Sequence, residues 1–174
     1  SVRDAGNCES PGEFFYQLGY ILKELHRITI PGRWAIIHAK DHIIYGSESD
    51  TGMMEIYPFS DDCVTHMRKA GWAYQGRITV DTDVVRENSQ THRLTHGELK
   101  KDASKHGVGM PEYGLLFRKP PTDSSKAYSD IPVVSCSDVT EYPLSRWQLD
   151  ASSHWRCNQL TLPYDTETGY DYYK

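Results

Sequence analysis

Trp34-Ala35-Ile36-Ile37-His38 is an unbroken apolar run of strand length, set directly behind a turn at Ile30-Pro31-Gly32-Arg33. Apolarity that does not alternate predicts a strand covered on both faces, as in the interior of an α/β sheet. This is the longest apolar run in the chain, and it is far too short to span a membrane. Whatever precedes and follows it therefore has to supply layers above and below.

What precedes it is a helix with three start signals in a row. Ser10 can accept at the N-cap, Pro11 suits the first helical position, and Glu13 can complete a capping box. Phe14, Leu18, Ile21, Leu22 and Leu25 then repeat at helical spacing, which predicts one apolar face. Lys23, His26 and Arg27 follow where cations complement the carboxyl end of the helix dipole.

Behind the strand, residues 42 to 57 lack periodicity and read as a loop. A second helix is announced by Ser60 as N-cap and by Asp61 and Asp62 in its first turn, with Phe59 and Val64 as a hydrophobic staple and Gly71 at its end. Trp72, Tyr74, Ile78 and Val80 alternate with polar residues, the pattern of a strand with one buried face. A polar excursion over 82–111, a loop or helix insertion, leads to a further strand, Tyr113 to Lys119. The rhythm is helix, strand, helix, strand, insertion, strand. It predicts an α/β core over residues 1–121 whose last two strands pair as a hairpin. Residues 122–174 read as an irregular, aromatic-rich C-terminal arm.

A chain of 174 residues can bury a core as one domain without covalent staples. The cysteines, Cys8, Cys63, Cys136 and Cys157, are irregularly spaced and form no C-x-x-C pair. That spacing predicts reduced thiols in a cytoplasmic protein and no metal site. Ser1 to Cys8 do not read as a signal peptide. The formal net charge of -5 argues against binding nucleic acid by global electrostatics. The charge is uneven, however: Arg86 to Lys119 holds seven Lys and Arg against four Asp and Glu. Such a stretch can face DNA, with Arg86, Arg93, Lys100, Lys101 and Lys105 as contacts, and a solvated helix face explains the charges equally well.

Polar residues at the carboxyl end of a buried strand are where open α/β sheets gather functional groups, so His38, Lys40 and Asp41 are the candidate catalytic neighbourhood. The plainer alternative is a solvated strand exit. Arg86 and Glu87, past the next strand, could meet a phosphate or simply pair with each other. Trp147, in Arg146-Trp147-Gln148-Leu149-Asp150, and Arg156, in His154-Trp155-Arg156, interleave rings with guanidinium groups. That combination suits unpaired bases or an interdomain contact. His92 and His96 could share a helix face but have no third ligand. No P-loop, G-x-G-x-x-G, G-x-S-x-G or paired-carboxylate pattern occurs.

Several blocks in order resemble the DNA methylases of bacteria and phages that act on exocyclic amines. Ser1-Val2-Arg3-Asp4-Ala5-Gly6-Asn7-Cys8 resembles the stretch after that family's Pro-Pro catalytic motif. Leu25-His26-Arg27-Ile28-Thr29-Ile30-Pro31-Gly32-Arg33 is similar to its "L-x-R-V-x-x-P-G-R" helix ending, and Trp34 to Asp41 to its next strand. Asp83-Val84-Val85-Arg86-Glu87-Asn88, Gly107-Val108-Gly109-Met110-Pro111-Glu112-Tyr113, Leu116-Phe117-Arg118-Lys119-Pro120-Pro121-Thr122 and Arg146-Trp147-Gln148-Leu149-Asp150 resemble later blocks of a phage-type subgroup.

The resemblance implies an incomplete Rossmann-like methyltransferase fold, with S-adenosylmethionine as methyl donor of the full-length enzyme and N-4 of cytosine or N-6 of adenine as the acceptor on a flipped base. The Pro-Pro motif and the glycine-rich F-x-G-x-G cofactor loop are missing, so no catalytic or cofactor-binding residue can be transferred. The expectation is a central portion of a methylase, inactive alone. It would be completed by flanking segments of the same polypeptide or by a second copy, with DNA as partner and no membrane. The alternative is a non-catalytic DNA-binding or protein-interaction module derived from a methylase.

Overall fold

Capping chemistry starts the first helix where the sequence predicts. The computed structural model describes residues 7–81, 100–102, 104, 107, 109–133 and 142–156. Within them α1 spans Pro11–Ile28, with Ser10 Oγ accepting the Glu13 N–H at 3.2 Å. The Glu13 carboxylate reaches back one residue further than a capping box requires and accepts the Glu9 N–H at 3.0 Å. His26 and Arg27 occupy the last turn as expected. The strongest cation there comes from elsewhere: Lys119 Nζ donates to the carbonyls of His26 at 2.6 Å and Thr29 at 2.8 Å. It thereby satisfies carbonyls that the helix end leaves open.

Only part of the expected apolar face of α1 is covered. Phe15 and Leu22 are buried and Phe14 and Leu18 pack at their margin, whereas Ile21 is 62% exposed. The covering elements meet α1 from one side, and Ile21, Leu25 and Ile28 lie beyond their reach.

The strand run extends two residues past the expected end, as β1 over Trp34–Lys40. β2 (His42–Ile44) and β3 (Glu55–Tyr57) pair antiparallel within the segment expected to be a loop. Three-residue strands are too short to show a period of two. Next come α2 (Phe59–Lys69), β4 (Ala73–Asp81), β5 (Glu112–Arg118), α3 (Leu144–Asp150) and β6 (His154–Arg156). The segment read as an irregular arm thus contributes a helix and a strand. Most of the 82–111 insertion lies outside the described residues.

Four strands form one sheet in the order β1-β5-β4-β6. β5 runs antiparallel to both β1 and β4, and β6 runs parallel to β4. β1 and β4 therefore point the same way, with the reversed β5 between them. The expected β4–β5 hairpin pairing is present. The expectation that β1 is an interior strand is corrected: among the described residues it stands at the sheet edge, and its residues alternate in exposure. Ala35, Ile37 and Ala39 face the helices, while Trp34 (49% exposed) and Ile36 (66%) face away. No described element covers that second face of β1.

On the helix side the core gathers Phe15, Leu22, Ala39, Cys63, Met67, Trp72, Leu115 and Phe117. Leu115, Phe117 and Met67 have no exposed surface. Burying side chains of this size contributes about 1.5–3 kcal/mol each. His66 stacks on Phe15 at 4.4 Å between ring centroids. The Trp72 indole N–H donates to the Leu22 carbonyl at 3.4 Å, which ties the start of β4 to α1.

The expected alternation in β4 also needs correction. A bulge between Tyr74 and Gly76, where Gly76 takes φ 138°, switches the parity of the strand. Tyr74 packs beside Phe117 on the helix side, whereas Ile78 pairs with Gly114 on the opposite face.

The loop after β5 docks on the turn before β1. Arg33 Nη1 donates to Ser129 Oγ at 3.1 Å and to the Ile131 carbonyl at 3.2 Å. Arg118 lies over the Trp34 ring at 4.3 Å and near Tyr128 at 5.1 Å. Gly32 makes this docking possible twice over. It takes φ 86°, and a Cβ there would stand 2.4 Å from Ser129 Cβ. Gly32→Ala is expected to lower stability by about 1–3 kcal/mol, read as a drop in the urea unfolding midpoint. An unchanged midpoint would show that the loop does not depend on this turn.

Candidate functional site

Pleating sends alternate β1 side chains to the same face, so His38 and Lys40 share the uncovered side of the sheet with Trp34 and Ile36. The β1–β5 register sets Lys40 opposite Glu112 and His38 opposite Gly114. Because Gly114 presents no side chain, the imidazole reaches diagonally: His38 Nε2 lies 2.7 Å from Glu112 Oε2. Lys40 Nζ lies 3.9 Å from the other oxygen, Oε1. One carboxylate thus bonds His38 and lies within ion-pair range of Lys40 at the carboxyl end of β1. The His38 side chain remains 68% exposed, and Lys40 and Glu112 about 30%. Ion pairs this open to water contribute only about 0–1 kcal/mol to stability.

Asp41, expected beside these two, has a structural task instead. Its Oδ1 accepts the Ser60 N–H at 2.9 Å. Ser60 is not the N-cap; it is the second residue of α2, and it is buried. Pro58 occupies the cap position and offers no side-chain acceptor. A carboxylate borrowed from the end of β1 therefore satisfies an amide that Pro58 cannot, and its charge suits the positive end of the helix dipole.

The first turn of α2 carries a second polar group. Arg77 Nη2 donates to Asp61 Oδ1 at 2.6 Å, its Nε donates to the Tyr74 hydroxyl at 3.1 Å, and its guanidinium lies over the Tyr113 ring. The Asp61 contact, then the Tyr74 one, hold Arg77 firmly charged. The Tyr57 hydroxyl donates to Asp62. Burial, followed by that bond and the Asp62 charge, pushes Tyr57 up to about 12. Burial, then Asp62 and Asp41, pushes the Cys63 thiol up to about 11.

The other sequence-derived residues are not gathered at this edge. Trp147 sits on α3, 53% exposed, and α3 leads into β6 at the opposite side of the sheet from β1. Lys100 and Lys101 are exposed. Arg156 belongs to β6, but its side chain is outside the described residues, as are Arg86, Glu87, Arg93, Lys105, His92 and His96. Glu112 was missed as a site residue because it counts in the sequence only as one acid within a basic stretch. Its meaning comes from antiparallel pairing with a strand 72 residues away from it, Lys40 to Glu112. Among the described residues no group of three or more His, Cys, Asp or Glu could hold a metal ion. No helix there is long and apolar enough to cross a membrane.

The raised groups fix a pH dependence. Cys63 and Tyr57 keep their protons more tightly when folded than their ordinary values of 9.0 and 10.0 allow. Folding is thus favoured below those values and loses that contribution as pH climbs through about 11 for Cys63 and about 12 for Tyr57. Thermal melts from pH 8 upward are expected to show a falling midpoint that Cys63→Ala and Tyr57→Phe each flatten. Curves unchanged by either substitution would contradict this origin.

No known family profile matches the chain, and no curated protein does. The fold is nonetheless similar to solved structures of one protein from Thermus thermophilus, described as a "Putative DNA Modification Methylase". In its complex with S-adenosyl-L-methionine the match has a TM-score of 0.55 at 16% identity and covers 83% of this chain and 50% of that one. A second structure of that protein gives a TM-score of 0.54 at 16% identity and covers 90% and 55%. The chain spans about half the length of the protein it matches, and at this identity the likeness is one of fold: this chain has the fold of that part of a DNA methylase.

Proposed function

We propose that this chain is part of an S-adenosylmethionine-dependent DNA methyltransferase of the exocyclic-amine class, methylating N-6 of adenine or N-4 of cytosine. The observation that carries the reading is the fold likeness to a methylase crystallised with S-adenosyl-L-methionine over 83% of this chain. The order in which the resembling sequence blocks occur supports it independently. In this reading residues 1–121 are a partial Rossmann-like core, and the C-terminal segment adds β6 to its sheet.

The described residues do not by themselves fit the methyl donor. They contain no glycine-rich turn between a strand and a helix of the kind that cradles a nucleotide. An open cavity of about 600 Å³, lined by Thr65, Arg68, Lys69, Gly71, Trp72, Ala73 and Pro120, lies at the starting end of β4, away from His38 and Lys40. The donor's cradle is therefore assigned to segments outside the described residues. The role left to this chain is on the acceptor side. His38 and Lys40 present donors at the strand ends, and Asp41 holds α2 against that edge.

The uncovered face and open edge of β1 give the missing segments a place to bind. Ile36 and Trp34 lie open there, and an unpaired apolar edge favours recruitment of another strand. Flanking segments of the same polypeptide, or failing them a second copy, are the proposed occupants.

Transfer of a labelled methyl group to mixed DNA is expected to stay at background with the 174-residue chain and to appear when the neighbouring coding sequence is restored. Transfer by the short chain unaided would overturn the partial-enzyme reading, and none by the longer polypeptide would remove the enzyme altogether. DNA binding is expected to weaken steeply with salt. Lys100→Ala together with Lys101→Ala should reduce the slope of log K against log salt by about 2, at roughly 0.9 per lost phosphate contact. An unaltered slope would take these lysines out of the DNA interface.

A further inference from the structure

The trio at the end of β1 has a geometry that surface stability does not explain. Glu112 spends one oxygen on His38 and turns the other toward Lys40, linking two alternate side chains of a neighbouring strand. Inward from this charged rim the same face turns apolar, through Ile36, Leu116 and Ile78, with Gly114 leaving room among them. A Cβ at Gly114 would meet nothing closer than Ile78 Cβ at 3.7 Å and Ile36 Cγ2 at 4.0 Å. Charged groups convergent on the rim of an apolar floor, at the carboxyl ends of co-directional strands, form the setting in which open sheets place reacting groups.

We infer that Glu112 is a positioning residue of the acceptor-side edge, acting through His38 and Lys40 and not by touching the target base itself. His38 ends a rotatable side chain that is 68% exposed and would otherwise sample several rotamers. The carboxylate orients the imidazole through a 2.7 Å contact and draws the ammonium toward the same rim, which lowers the cost of ordering them at the reaction. Glu112 is suited to this task because β5 is the middle strand of the β1-β5-β4 set and carries the fully buried Leu115 and Phe117. The carboxylate stands on a strand paired on both sides, while the residues it steers stand on the edge strand.

This inference rests on the methyltransferase reading, and the test separates the two. In the polypeptide with its neighbouring segments restored, Glu112→Gln is expected to lower kcat for methyl transfer about tenfold while DNA Kd changes less than twofold. Glu112→Asp, which keeps the charge on a shorter stem, should recover part of the loss. The double variant Glu112→Gln with His38→Ala should lose less than the product of the two single losses, because part of the effect of Glu112 passes through His38. In the 174-residue chain, the imidazole ¹⁵N resonances of His38 should shift on Glu112→Gln while the unfolding midpoint stays in place. If the wild-type polypeptide transfers methyl groups but Glu112→Gln matches it, or the double variant's losses add, the positioning role is wrong and the enzyme reading stands. If the wild type transfers none, the enzyme reading falls and takes this role with it.

Discussion

β5 runs against both of its neighbours, and most of the described structure depends on that reversal. β1, α2 and β4 make a crossover between two strands that point the same way but do not touch. The gap between them is one strand wide, and β5 fills it from the opposite direction with continuous pairing on the β1 side and a single bulge on the β4 side. Its alternation then sorts the sheet. Leu115 and Phe117 go to the helices and carry the core, while Glu112, Gly114 and Leu116 go to the uncovered face with His38 and Ile36. Without β5 neither the buried cluster nor the charged trio would exist, since each draws one of its essential members from it.

The same edge of the sheet divides its polar residues between those tied into the architecture and those left at the surface. Asp41 is consumed in holding the α2 amide of Ser60, a role that Pro58 creates by leaving the cap without an acceptor. Arg77 is consumed by Asp61, Tyr74 and the Tyr113 ring. His38 and Lys40 differ in kind: the carboxylate they share is partly exposed, and His38 stays largely open to water. The distinction matters because a side chain tied to a helix terminus cannot turn to a substrate without unwinding that terminus, whereas His38 stands at the surface with its ring open to water.

Two of the described elements leave apolar surface open, which is awkward for a stable domain. β1 has an open edge among the described residues, Ile36 lies exposed on its second face beside a Trp34 half-covered by Arg118, and Ile21, Leu25 and Ile28 extend the apolar arc of α1 beyond what its neighbours cover. Surfaces of this kind mark contact sites.

Local chemistry was legible in the sequence. The start of α1 at Ser10 and Pro11, the turn at Pro31 and Gly32, the apolar run from Trp34 and the helix stop at Gly71 follow from capping, φ preference and hydrophobic run length, which involve only near neighbours. The order of resembling blocks pointed to a methylase, and the fold likeness agrees at that coarse level. What only tertiary structure decided was every relation that crosses the chain. It made β1 an edge strand and not an interior one, because the partner strand and covering layer are not properties of five residues. It turned Asp41 into a helix cap nineteen residues from its amide. A single bulge at Gly76 reversed the parity of β4, which alternation alone reads as regular. It also brought Glu112, one charge among many in the sequence, beside His38 and Lys40, because register between distant strands is set by the packing of both faces at once and leaves no mark on either strand alone.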